Sequence, residues 1–167
     1  MNQELAPLMR RALVSGTIAG LGVMATAALA GRKETGSWAA PLNATSHIVW
    51  GDKATSVNRV SHKYTLPGII LTHASAVFWA ALYEQLFGNR QRRANMRVPV
   101  WEPLLGGASI AALAYGNDYH LMPRRLTPGY EKRVSGRSLA AIFGALALGL
   151  AARDMLIAAA GRSRRAV

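Results

Sequence analysis

The chain has 167 residues, of which 51% are hydrophobic and 17% charged, with 20 Lys and Arg against 8 Asp and Glu. Its length is that of one ordinary domain, and the lack of Cys excludes disulfides, thiolate metal sites and cysteine catalysis. A net charge of +12 often points to nucleic acid, but here the basic residues stand beside apolar stretches. That placement favours anionic phospholipids, and not nucleic acid, as partners.

Four apolar stretches define the predicted organisation, and each approaches the roughly 20 residues that a helix needs to cross the hydrocarbon core. They cover about residues 12–30, 66–87, 98–115 and 139–160. We therefore predict an all-α fold, a four-helix transmembrane bundle that forms one integral membrane domain over residues 1–167. Small residues are expected at the helix contacts: Gly16, Gly20, Gly106, Gly107, Gly144 and Gly149.

The first stretch has two interpretations. Arg10 and Arg11, the apolar run and the small residues of Ala28–Ala30 imitate a cleavable signal peptide. The run of about 19 residues is longer than the usual signal-peptide core of about 7–15 residues. We predict a retained helix, with a cleaved signal as the alternative.

The connection after the first stretch spans about 35 residues and contains Trp38, Pro41 and Trp50. Pro is favoured in the first turn of a helix. The apolar residues between the two Trp side chains predict a short helix lying in the membrane interface, with Trp at headgroup depth. An irregular loop anchored by the two Trp residues is the alternative.

The third stretch is interrupted near its start by Pro99, Glu102 and Pro103. A short or re-entrant helix is therefore the alternative to a full span. With four spans both termini lie on one side, and the number of Lys and Arg residues does not decide which side. Basic residues on the side of the termini lie compactly beside the spans, which favours cytoplasmic termini.

Ionisable side chains inside the spans are expensive, at roughly 2.5–3.5 kcal/mol each on insertion scales. Antiparallel threading places Glu84, Glu102, Arg153 and Asp154 in one leaflet. Our hypothesis is an ion-paired cluster in which Arg153 bridges to Glu84 or Glu102. The alternative is that Arg153 and the two Glu side chains extend separately to the interface.

On the opposite side, His73, Asp118 and His120 combine imidazole and carboxylate, which are suitable ligands for a divalent metal. A metal or haem site is one hypothesis, a proton relay through His73 is a second, and a packed, hydrogen-bonded His73 is the plainer alternative. No H-E-x-x-H, G-x-S-x-G or P-loop pattern occurs. We predict no catalytic residue and no obligatory cofactor.

Residues 66–130 contain several short elements that resemble the YagU-like proteins of the bacterial inner membrane. The elements are Thr72-His73, Tyr83-Glu84, a Gly-rich following stretch, Met122-Pro123 and Leu126-Thr127-Pro128. The resemblance implies a small multi-pass inner-membrane protein, and it supplies no catalytic residue.

The predicted function is that of a non-enzymatic accessory or envelope-maintenance component, with other membrane protein subunits as partners. One alternative is a small transporter or proton-conducting protein that uses the intramembrane charges. The other is a metal- or haem-binding membrane protein.

Overall fold

The computed structural model describes residues 5–88, 99 and 101–163, with side chains through residue 158. Every regular element in these ranges is helical, which confirms the predicted all-α class. The helices are α1 (Leu5–Thr35), α2 (Ala40–Thr45), α3 (His47–Trp50), α4 (Thr65–Tyr83), α5 (Trp101–Gly116) and α6 (Gly136–Ser163). A π-helical turn continues α4 over Glu84–Gly88, and another continues α5 over Asn117–Leu121.

Helix α1 lies between α4 and α6 and packs against both, while α5 packs mainly against α6. The buried face of α1 is a stripe of small residues at three- and four-residue spacing. The stripe includes Ala12, Ser15, Gly16, Ala19, Gly20, Val23, Ala27 and Ala30. Side chains this small allow the helix backbones to approach closely, so the sequence of α1 fixes its central position.

Five of the six predicted contact glycines lie where helical segments touch. At Gly149, for example, a Cβ atom would lie only 2.4 Å from Cα of Ala19. The prediction is likewise confirmed at Gly16, Gly20, Gly106 and Gly107. It is wrong at Gly144, which is exposed and has nothing within 4 Å of an added Cβ.

Three helices are long and apolar enough to cross a membrane: Leu5–Thr35, Thr65–Gly88 and Gly136–Ala158. They match the first, second and fourth predicted stretches, although the range Gly136–Ala158 ends two residues before the predicted end at 160. The third stretch forms α5, which has 16 α-helical residues. Helix α5 is not among the three helices that meet the criterion for a membrane span. Glu102 and Pro103 at its start and Asn117 and Asp118 after its end limit its apolar length, and the predicted start at 98 lies outside the described residues.

The first connection contains the expected short helix, and Pro41 lies in its first turn. All six residues of α2 are buried within the protein, so the helix packs against other parts of the chain, and its position in the membrane interface stays a prediction. A Cβ on Gly68 would lie 1.8 Å from the carbonyl oxygen of Leu42. At this close approach α2 packs directly against the start of α4. Trp38 and Trp50 are about half exposed, at 51% and 46%.

Side-chain hydrogen bonds hold α2 in place. The Asn43 amide donates to the carbonyl oxygens of Val57 and Arg59, at 2.8 and 3.0 Å. The Thr65 hydroxyl donates to Oδ1 of Asn43 at 2.6 Å. Asn43 is fully buried, and these bonds provide the partners that a buried amide needs.

Candidate functional site

Six polar side chains meet where α1 begins and where α4 and α6 end. We call this group the charge cluster: Arg11, Ser15, Tyr83, Glu84, Arg153 and Asp154. A cavity that lies closer to the other ends of α4 and α6 is described below.

Glu84 has no exposed surface, and the same holds for Ser15 and Tyr83 of the charge cluster. Nε of Arg11 lies 3.3 Å from Oε2 of Glu84, and the Ser15 hydroxyl donates to its Oε1 at 2.7 Å. Arg11 and Ser15 are one helical turn apart, so α1 presents both to the same carboxylate. A Cβ on Gly88 would lie 2.4 Å from Oε2 of Glu84, so the π turn closes over the carboxylate only because residue 88 is Gly.

Tyr83 and Asp154 join α4 to α6 beside Glu84. The Tyr83 hydroxyl donates to Oδ2 of Asp154 at 3.2 Å. Nη1 of Arg153 lies 3.5 Å from Oδ1 of the same carboxylate. Arg153 is partly exposed, while Tyr83 and Asp154 are buried. The ends of three helices are therefore linked through two buried carboxylates.

The structure places three of the four predicted cluster residues together, with a different pairing. Glu84 pairs with Arg11 and not with Arg153, which pairs with its neighbour Asp154. The reason is that α1 lies between α4 and α6 and brings its own cation to Glu84. Glu102 is partly exposed and forms no ion pair within the described part of the chain.

Sequence reasoning missed Arg11, Ser15 and Tyr83. Arg11 follows Arg10 at the edge of an apolar stretch, a position typical of a charge that flanks a span. The available signal was the spacing of Arg11, Ser15 and Ala19, which continues the small-residue stripe at intervals of four. A cation in register with such a stripe faces a neighbouring helix.

The predicted metal ligands lie in different surroundings. His73 faces α1, with Nδ1 3.3 Å from the position of a Cβ on Gly20. His120 is exposed, with its ring centroid 5.6 Å from that of Tyr115. Asp118 lines the cavity. In the described residues no group of three or more His, Cys, Asp or Glu side chains is arranged to hold a metal, so the metal site stays a prediction without support from the structure.

The cavity has a volume of about 360 Å³ and lies between α4, α6, the π turn after α5 and residues 126–130. Most of its lining is apolar, with Val23 of α1 contributing as well. Thr72 and Tyr130 also line it, and their hydroxyl oxygens are 2.8 Å apart. Burial raises the pKa of Tyr130, so this phenol is neutral at physiological pH.

Comparisons of the chain with protein-family models, with curated proteins and with solved structures find no match.

Proposed function

We propose that this chain is a multi-pass protein of the bacterial inner membrane with a non-enzymatic accessory or envelope-maintenance role. The single observation that carries the proposal is an inverted distribution of polarity. Glu84 and Asp154 are buried between helices, whereas large apolar side chains on the same helices face outward. The outward-facing side chains include Leu13, Ile18, Leu21, Ile70, Phe78, Leu148 and Leu156.

Such a surface suits lipid better than water. A soluble monomer rarely exposes apolar patches larger than a few hundred Å². In a bilayer the same side chains contact acyl chains, and polar groups turn inward to find partners. This supports membrane insertion of α1, α4 and α6.

A contact between the first and third connections supports a fourth crossing by α5. Lys132 Nζ lies 2.9 Å from Oδ1 of Asp52, so the connections on either side of the α4–α5 pair meet at the same end of the molecule. If α4 carries the chain across the bilayer, α5 must carry it back. Together with its π turn, α5 has 21 residues, from Trp101 to Leu121, or about 30 Å at the helical rise of roughly 1.5 Å per residue.

An accessory role is supported by how the intramembrane charges are used. Arg11 and Glu84 pair with each other, and Asp154 accepts from Tyr83. Neither Glu84 nor His73 lines the cavity. A proton-conducting protein needs its titratable groups along a hydrated route, so this arrangement favours a structural use of the charges.

The rest of the proposal follows from charge and from the sequence resemblance. Anionic phospholipids pair with the basic residues beside the spans, and the termini are cytoplasmic. Because α1 packs against both α4 and α6, we propose that it is retained and not removed as a signal peptide. We also propose that the chain belongs to the YagU-like proteins and that its partner is a second membrane protein subunit.

Reconstitution separates this role from proton conduction. We expect vesicles containing the full chain to dissipate a pH gradient no faster than empty vesicles, as followed with an entrapped pH-sensitive dye. The accessory role also predicts a membrane partner that cross-links to the wild-type chain in native membranes. Proton flux above the empty-vesicle rate that Glu84→Gln abolishes would overturn the accessory role in favour of conduction.

A further inference from the structure

Asp118 stands out among the residues that line the cavity. Of the described lining residues, it is the only Asp, Glu, Lys, Arg or His. The same cavity is lined by the aromatic side chains of Phe78, Trp79, Tyr130 and Phe143. Asp118 is partly buried, and a carboxylate in such a lining has a desolvation cost that a cation or several donors would offset.

The described part of the chain compensates Asp118 weakly. The side-chain bond found there comes from its neighbour Asn117, whose amide donates to Oδ1 at 3.1 Å. Two cations of the third connection, the segment between α5 and α6, have other partners. Lys132 pairs with Asp52, and Arg133 donates to the Thr55 carbonyl oxygen at 2.9 Å.

The contrast with Glu84 is informative. The chain has 20 Lys and Arg for 8 acidic residues, and it supplies Arg11 to the buried carboxylate of Glu84. No Lys or Arg of the described residues forms an ion pair with Asp118. Within the part of the chain that the structure describes, the cavity carboxylate therefore has no cation of the protein as partner and can accept one from outside.

The remaining lining specifies the rest of the ligand. Aromatic rings attract organic cations, and Trp79 and Phe143 are among the side chains that line the cavity. The apolar majority of the lining favours a ligand with an apolar body. The volume of about 360 Å³ lies within the range of about 300–1,000 Å³ found for small-molecule sites.

We propose that this cavity binds an amphipathic organic cation, with its ammonium group at Asp118 and its apolar body against Trp79 and Phe143. Two sources share this chemistry: a free hydrophobic amine or quaternary ammonium compound, and the ammonium headgroup of an ethanolamine phospholipid. No member of the charge cluster lines the cavity, and the proposal does not depend on the accessory role.

The test is binding of benzyltriethylammonium to the purified full chain in detergent, measured by isothermal titration calorimetry. We expect saturable binding to the wild type that Asp118→Asn weakens at least tenfold. Asp52→Asn removes an exposed carboxylate outside the cavity and is the matched control, with affinity unchanged. An anionic probe of similar size, 4-ethylbenzenesulfonate, should not bind.

A second variant keeps the test decisive if Asp118→Asn fails to fold. Ser75 is exposed and lines the cavity, so Ser75→Trp fills the space without changing Asp118 and should also weaken binding at least tenfold. The proposal is overturned if the wild type does not bind the probe saturably. It is equally overturned if a folded Asp118→Asn variant binds as the wild type does.

Vesicles distinguish the two sources of the ligand. Probe affinity is compared in phosphatidylglycerol vesicles with and without phosphatidylethanolamine. Competition by phosphatidylethanolamine identifies the lipid headgroup as the occupant, and an unchanged affinity identifies a free organic cation. Both results require saturable binding of the probe and therefore support the cavity as a cation site.

Discussion

Glu84 shows how single residues are decisive in this fold. A carboxylate with no exposed surface is tolerable only while Arg11 and Ser15 compensate it. Removing one partner of a buried pair leaves an uncompensated charge, whereas replacing both partners with neutral groups is often nearly neutral. The cluster is therefore more sensitive to the loss of one member than to the loss of the pair.

We expect Arg11→Met to lower the free energy of unfolding by about 3–5 kcal/mol, because it leaves the Glu84 carboxylate buried without its cation. Thermal unfolding in detergent micelles measures the effect. Arg10→Met is the matched control, since Arg10 is exposed and its loss should change little. Adding Glu84→Gln to Arg11→Met should restore most of the stability. Equal effects of Arg10→Met and Arg11→Met would contradict the structural role of the pair.

His47 is a second residue whose contacts are specific. Its ring is buried, with Nδ1 2.8 Å from the Ala44 carbonyl oxygen and Nε2 3.4 Å from that of Arg124. The first contact joins α3 to α2, and the second joins α3 to the third connection. Replacement by Phe removes both contacts and introduces a larger, apolar ring.

We expect His47→Phe to destabilise the protein by about 1–3 kcal/mol, the cost of leaving a buried polar partner unsatisfied. Limited proteolysis should then cut the third connection, near Arg124, faster than in the wild type. His62→Phe is the control, because His62 is exposed. Identical cleavage rates for the two variants would show that His47 does not stabilise the connection between α5 and α6.

Helices α1 and α6 show the same specificity at the scale of elements. The two backbones approach so closely at Gly149 and Ala19 that a Cβ on Gly149 would lie 2.4 Å from the Cα atom of Ala19. Such a contact is backbone against Cβ and cannot be relieved by a change of rotamer. The position of α1 between its neighbours therefore depends on residues without side chains.

Gly149→Ala is expected to destabilise the protein by about 1–3 kcal/mol, the usual cost of overpacking. Gly144→Ala on the same helix is a matched control, because an added Cβ there meets nothing within 4 Å. It should be neutral or stabilising by up to about 1 kcal/mol, since Ala favours a helix more than Gly does. Thermal unfolding of the two purified variants compares them directly. If both variants behave alike, the close contact of α1 and α6 is wrong.

At the scale of the whole molecule, contacts at opposite ends connect distant parts of the chain. Asp52 meets Lys132 at one end, and Tyr83 meets Asp154 at the other. The four proposed crossings therefore predict which segments lie on the same side of the membrane. The first and third connections are expected on one side, and the start of α1 on the other.

Single-cysteine labelling checks this threading, because the chain contains no Cys of its own. We expect a membrane-impermeant maleimide applied to intact cells or spheroplasts to label Lys53→Cys and Glu131→Cys alike. Pro7→Cys, near the start of α1, should react only after the membrane is permeabilised. Labelling of Lys53→Cys without Glu131→Cys would contradict the fourth crossing.

The sequence by itself determined the all-α class and the helix contacts at glycines such as Gly16 and Gly107. Both are local properties: a long apolar run favours a helix wherever it lies, and a missing side chain always permits close approach. The sequence also indicated that Glu84 and Asp154 need an explanation, because charge in an apolar stretch is costly in any arrangement.

Only the tertiary structure decided how these residues are used. Ser15 and Glu84 are 69 residues apart in the chain, and their contact depends on α1 lying between α4 and α6. The same packing buries α2 and places Asp118 in the lining of a cavity, where no cation of the described residues pairs with it. Partners across such distances follow from the order and rotation of whole helices, which hydropathy and spacing along one chain do not contain.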